Sequence, residues 1–158
     1  GGALNNQIAA KAVCFKEALT KEYQEYAQQI LNNAKALSDS FQEQGLRVIS
    51  GGTENHIVLV DTRSVDEELT GKEAGILLND RGVTLNRNAI PFDPRSPFIT
   101  SGIRMGTPAV TTCGMKENEL TQVGFLISEI MKNRSDVNKL NELEAEVRSL
   151  ATSFQPYG

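Results

Sequence analysis

The chain has 158 residues, of which 39% are hydrophobic and 23% charged, with a formal net charge of −4. That is enough for one modest core or one domain with helical extensions. The basic residues are scattered, which argues against a nucleic-acid footprint, and no apolar run approaches the roughly 18 residues of a membrane span. A lone histidine, His56, excludes most histidine-based metal or triad chemistry. Cys14 and Cys113 stand far apart and read as free thiols of a reducing compartment.

The chain opens on Gly1-Gly2 without a methionine, the pattern expected of a piece cut from a longer protein, whose targeting region would lie upstream. Residues 8–19 place Ile8, Ala9, Ala12, Val13, Ala18 and Leu19 at a helical period, and Thr20 follows as a break and N-cap, with Glu22 near the positive end of the next helix. Tyr23, Tyr26, Ala27, Ile30, Leu31, Ala34, Leu37 and Phe41 then fall at i, i+3, i+4, i+7 spacing. This is the clearest amphipathic helix in the chain, and Gly45 sits where a C′ glycine belongs. The tyrosines are expected in core and rim rather than against a cofactor.

Residues 46–49 and 57–60 are β-branched and apolar around Ser50-Gly51-Gly52-Thr53-Glu54-Asn55, which predicts two strands joined by a turn. The second run is nearly continuous and is expected as a central strand covered on both faces. His56, at its entrance, is expected to be partly buried with a local hydrogen bond rather than catalytic. Thr70-Gly71-Lys72-Glu73 fits a capping box and predicts a short helix ending near Gly82, and residues 83–85 predict a third strand.

The segment 86–109 holds four prolines and two glycines with almost no helical period. Pro91, Pro94 and Pro97 lack a backbone N–H and fix φ, which predicts a stiff loop. Gly102-Ile103-Arg104-Met105-Gly106 then alternates until Pro108, a short strand with Ile103 and Met105 on one face and Arg104 on the other. Arg104 has two readings. It either pairs with a nearby Asp or Glu along the surface, or it is an anion clamp, a flat fork of donors whose flanking glycines let a ligand approach.

Residues 116–131, with Leu120, Val123, Ile127 and Ile130, predict a further amphipathic helix. Residues 136–154 predict the last, on Val137, Leu140, Leu143, Val147, Leu150 and Phe154, with Glu142, Glu144, Glu146 and Arg148 as a solvated face. Together these elements make an α/β (α+β two-layer) domain, a small three- to four-stranded sheet flanked by helices. The first two helices are too long for so small a sheet and are expected to bridge to something outside the chain.

Thr100-Ser101-Gly102-Ile103-Arg104-Met105-Gly106-Thr107-Pro108-Ala109, preceded by Ile90-Pro91-Phe92-Asp93-Pro94-Arg95-Ser96-Pro97-Phe98, resembles the C-terminal part of serine hydroxymethyltransferase. The likeness extends over essentially the whole chain, through Ser50-Gly51-Gly52-Thr53-Glu54-Asn55-His56, Thr70-Gly71-Lys72-Glu73-Ala74 and Val83-Thr84-Leu85-Asn86-Arg87-Asn88. It implies the small C-terminal domain of an aspartate-aminotransferase-like pyridoxal phosphate enzyme. Residues 1–45 would be the helical segment leaving the large domain, and residues 46–158 the small domain. The implied activity interconverts serine plus tetrahydrofolate with glycine plus methylenetetrahydrofolate, in a cytoplasmic homodimer or homotetramer.

Residue by residue, the resemblance turns Arg104 toward the clamp, as ligand of the amino-acid carboxylate. It gives Asn88 the pterin of the folate. It gives Gly1 and Gly2 backbone N–H groups for the cofactor phosphate of a neighbouring subunit. The chain departs from the family at Ala3, where proline is usual, at Asn6, where histidine is usual, at Gln7, where a more apolar residue is usual, and at Cys113, where arginine is frequent. No stretch matches the family's Thr-rich run ending in the cofactor lysine, and Lys11, Lys16 and Lys21 sit in helical contexts without it. No catalytic residue is therefore expected in this chain, and by itself it is expected to be silent. Two alternatives remain: a non-enzymatic carboxylate-binding or protein-interaction module, and one half of a split enzyme.

Overall fold

Thr20 ends one helix and begins the next in a computed structural model that describes residues 1–154, so that the last four residues of the expected 46–158 domain lie outside it. Helix α1 spans Asn5–Ala18 and helix α2 Lys21–Glu43. The Thr20 side chain accepts from the Tyr23 N–H at 3.2 Å, satisfying one of the free donors at the start of α2. At the other end Gly45 takes φ 80°. Its N–H reaches Gln42 O at 2.9 Å and the Leu46 N–H reaches Phe41 O at 2.9 Å, a Schellman closure that turns the chain into the sheet.

Four short antiparallel strands follow the order β1 (Arg47–Val48), β2 (Ile57–Asp61), β4 (Gly102–Gly106), β3 (Asn86–Asn88). Helix α3 (Gly71–Asp80) stands between β2 and β3 in the chain, and α4 (Pro108–Thr112), α5 (Glu117–Lys132) and α6 (Val137–Thr152) follow β4. The capping box of α3 is complete: Thr70 Oγ1 accepts from the Glu73 N–H at 3.1 Å, and Glu73 Oε2 accepts from the Thr70 N–H at 3.1 Å.

The helices cover one face of the sheet. Val58, Val60 and Ile103 point to that side and are buried with Ala34, Leu37 and Phe41 of α2, Leu78 of α3, and Leu120, Ile127 and Ile130 of α5. Each of the larger of these side chains contributes about 1.5–3 kcal/mol by leaving water, and this cluster holds the layers together. Asn33 is among the buried polar residues: its Nδ2 donates to Thr111 Oγ1 at 2.8 Å and Met115 O at 2.9 Å, joining α2 to α4 and the turn after it.

Several expectations change in the folded chain. Helix α1 buries none of its residues, and Leu4, Ile8, Val13, Phe15 and Leu19 are all more than half exposed. Its period is helical, yet among the described residues nothing buries its apolar side chains. Strand β2 is central but covered on one face only, with Ile57 and Leu59 half-buried. The third strand begins at Asn86 rather than Val83, because Val83 is consumed in closing α3: its N–H bonds Leu78 O at 2.9 Å. His56 is exposed, its side chain makes no hydrogen bond among the described residues, and its backbone O accepts from the Thr107 N–H at 3.1 Å. Tyr23 is exposed, and Tyr26 lies at the rim, hydrogen-bonded to Thr112 Oγ1 at 2.9 Å. Pro108 ends β4 by starting α4 at its first turn, where the missing N–H costs nothing. Glu144 is not simply solvated: it accepts from Arg81 and Arg148, each at 2.8 Å. Cys14 and Cys113 are both free.

Candidate functional site

Strand register decides which candidate residues meet. Arg104 pairs with Leu59 of β2 and Asn86 of β3, while Gly102 pairs with Asp61 and Asn88. Side chains alternate along a strand, so Arg104 and Asn88 lie on the same face, the one turned away from the helices. Arg104 is exposed there, and the described residues give its guanidinium neither an ion pair nor a hydrogen bond. Asn88 is half-buried, its Nδ2 donating to Ala89 O at 2.7 Å. Gly1 and Gly2 stand apart from this pair in the exposed start of the chain, where a Cβ on either would meet nothing within 4 Å.

The proline-rich connection from β3 to β4 folds back over the same face. Ile90 is buried outside the main core, with its Cγ2 2.8 Å from where a Cβ on Gly102 would stand. Asp93 governs this connection. Its Oδ2 accepts from the Ile90 N–H at 3.1 Å and the Ser101 N–H at 2.8 Å, and its Oδ1 from the Arg95 N–H at 2.9 Å and Ser101 Oγ at 2.7 Å. Burial alone would raise its pKa. The bonds from Ser101, Arg95 and Ile90 prevail and lower it to about 2.

Beside it, buried Asp61 accepts from Arg63 Nε at 2.9 Å and Nη2 at 2.8 Å, and from Arg47 Nη1 at 3.1 Å. Burial works against its charge too, yet Arg63 and Arg47 hold the carboxyl below its usual range. Sequence reading missed both aspartates. Asp93 had left a signal: in Pro-Phe-Asp-Pro-Arg its carboxylate caps the N–H two residues on, the Asx turn such a dipeptide favours. Asp61 had left the same kind of signal, since its Oδ1 accepts from the Arg63 N–H two residues on at 3.1 Å; only Arg47, from β1, comes from a distant element.

A pH titration separates the contribution of Asp93. Its folded pKa lies below the unfolded value of about 3.8, so its stabilisation is complete above that value and is lost as pH falls through about 2. Urea midpoints measured from pH 5 to pH 2 are expected to lose about 2 kcal/mol more in the native chain than in Asp93→Asn. Parallel curves for the two proteins would remove this role.

An open groove of about 670 Å³ lies between Lys35, Ser38 and Asp39 of α2 and the 49–55 turn, with Ile57 and Leu59 in its wall. It includes neither Arg104 nor Asn88, although Leu59 is the cross-strand neighbour of Arg104. Lys11 and Lys16 are exposed on α1, Lys21 is exposed at the start of α2, and Cys113 is half-buried just after α4. Among the described residues no group of three or more His, Cys, Asp or Glu is placed to hold a metal, and no helix is long and apolar enough to cross a membrane.

A family model described as serine hydroxymethyltransferase matches residues 1–127. The chain is 48% identical over 158 residues to a serine hydroxymethyltransferase of Janthinobacterium sp. (strain Marseille), a match spanning 100% of this chain and 38% of that relative. It is 47% identical over 157 residues to a serine hydroxymethyltransferase of Psychrobacter sp. (strain PRwf-1), spanning 99% of this chain and 37% of that relative. The chain thus spans less than two fifths of the length of these relatives and corresponds to their C-terminal portion.

Proposed function

The chain belongs to the serine hydroxymethyltransferase family, and on that premise we propose that it is the C-terminal part of a subunit that moves a one-carbon unit between serine and tetrahydrofolate, with glycine as the product. The observation that carries this reading is the shared, outward sheet face of Arg104 and Asn88. An arginine without a carboxylate partner among the described residues has its donors available, and the exposed Gly106 beside it on that face adds no side chain to block an approach, while Ile90 covers the Gly102 side. Arg104 binds the α-carboxylate of serine or glycine and, as a two-pronged fork, sets the orientation of the amino acid. Asn88 hydrogen-bonds the pterin of the folate, whose ring edge presents both donors and acceptors to an amide.

Pyridoxal phosphate is the cofactor we assign to the complete subunit, where it supplies an electron sink for bonds at the amino-acid Cα. The described residues do not by themselves form a site for it. The lysines at 11, 16 and 21 are exposed, and Gly1 and Gly2 face open space rather than a cradle. We assign these two glycines to the cofactor phosphate of a neighbouring subunit, a contact that only assembly as a homodimer or homotetramer completes. Residues 1–45 then serve as the segment that meets the large domain, which accounts for the uncovered Ile8, Val13 and Phe15 of α1, and residues 46–158 as the small domain. The reading places the enzyme in the cytoplasm.

The purified chain mixed with pyridoxal phosphate is expected to develop no visible band from lysine-bound cofactor and to cleave no serine. A stable band together with serine cleavage would overturn the assignment of cofactor chemistry to the rest of the subunit.

A further inference from the structure

The connection between β3 and β4 covers residues 89–101, and one carboxylate bonds both of its ends. Ile90, bonded through its N–H to Asp93, lies two residues beyond Asn88. Ser101, bonded through both N–H and Oγ, lies three residues before Arg104. Asp93 therefore ties the exit of one strand to the entrance of the other. The far side of the connection is anchored separately, where Arg95 donates to Leu69 O at 2.8 Å and Glu67 O at 2.6 Å. The backbone between these anchors is not relaxed: Phe92 and Thr100 take φ 57° and 61°, a region side chains disfavour. A loop in that state keeps its shape only while its internal bonds hold.

We infer that Asp93 is a positioning residue for the two-ligand face, holding Asn88 at a fixed offset from Arg104 so that amino acid and folate are gripped in one registry. The inference rests on the roles assigned to Arg104 and Asn88 under Proposed function. It also predicts an asymmetry. Arg104 sits in β4, which is hydrogen-bonded to β2 on one side and β3 on the other. Asn88 ends a three-residue edge strand whose one strand partner among the described residues is β4. Loss of the clamp frees Asn88 far more than Arg104. Amide for carboxylate is the sharpest substitution, because the NH2 of asparagine cannot accept from the N–H groups that the second oxygen now serves.

The test uses the complete cofactor-loaded subunit carrying Asp93→Asn, Ser101→Ala or Arg104→Lys. In Asp93→Asn the KM for tetrahydrofolate is expected to rise roughly tenfold, because small displacements of a positioned group cost that much or more, while the KM for serine changes much less. Calorimetric titration with a reduced folate in the presence of glycine is expected to show the same fold-weakening, independently of turnover. Ser101→Ala, which removes one of the four bonds, is expected to shift the folate KM in the same direction by less.

A folded Asp93→Asn subunit with an unchanged folate KM, or with only kcat reduced, would overturn the inference. If Asp93→Asn does not fold, an unchanged folate affinity in Ser101→Ala overturns it and a weakened one supports it. Arg104→Lys separates the two levels: an unchanged serine KM there refutes the site itself. A raised serine KM beside an Asp93→Asn variant with both KM values unchanged refutes only the clamp.

Discussion

Arg104→Ala in the complete subunit is expected to remove about 2–5 kcal/mol of amino-acid binding, the cost of leaving one charge of a desolvated pair without its partner. At about 1.4 kcal/mol for each factor of ten, the KM for serine rises at least tens of fold. Arg104→Lys is expected to lie close to the alanine variant rather than midway, because a single ammonium cannot reproduce two parallel N–H donors. The strand supports this severity. Arg104 lies in a strand flanked on both sides, between Leu59 of β2 and Asn86 of β3, so its backbone cannot shift to compensate for a different head group. Steady-state kinetics and glycine titration measure the effect, and an unchanged serine KM in both variants would refute the role.

The second large effect is expected at Gly102, two residues earlier. A Cβ there would lie 2.7 Å from Asn88 O, 2.8 Å from Ile90 Cγ2 and 3.2 Å from Val60 O. Two of these are backbone atoms of the strands on either side, and they cannot yield without parting the sheet where the candidate residues sit. Gly102→Ala is expected to destabilise the fold by about 1–3 kcal/mol, as overpacking does in tight interiors. Gly75→Ala is the matched control, since a Cβ at this helical position meets nothing within 4 Å. It is expected to gain about 0.5–1 kcal/mol from the lower entropy of the unfolded chain. Urea midpoints that move the same way for both substitutions would show that crowding at Gly102 is not what limits that site.

Where contacts are local, residues announced their structure. Thr70 and Glu73 form the expected capping box, Gly45 closes α2, and the alternation around Arg104 produces β4 with Ile103 buried and Arg104 exposed. Each depends on atoms within a few residues of one another, and spacing reports those directly. The third strand was displaced for the same kind of reason read too coarsely. Val83 to Leu85 are good strand residues by composition, but a helix closing on Gly82 claims the first of them.

By itself the sequence determined most of the elements, though not the short helix α4, and the family, and put forward Arg104 and Asn88 as candidates, because motif, period and capping are written along the chain. Only the tertiary structure decided that these two share a face, since strand register is set by pairing between segments distant in sequence and one residue of slip would turn a side chain to the opposite side. It alone brought Ser101 to Asp93, and Arg47 to Asp61. It also left the helical period of α1 without a surface to bury it. A hydrophobic period says that a helix has a face to cover, while what covers it depends on which other parts of the protein stand against it.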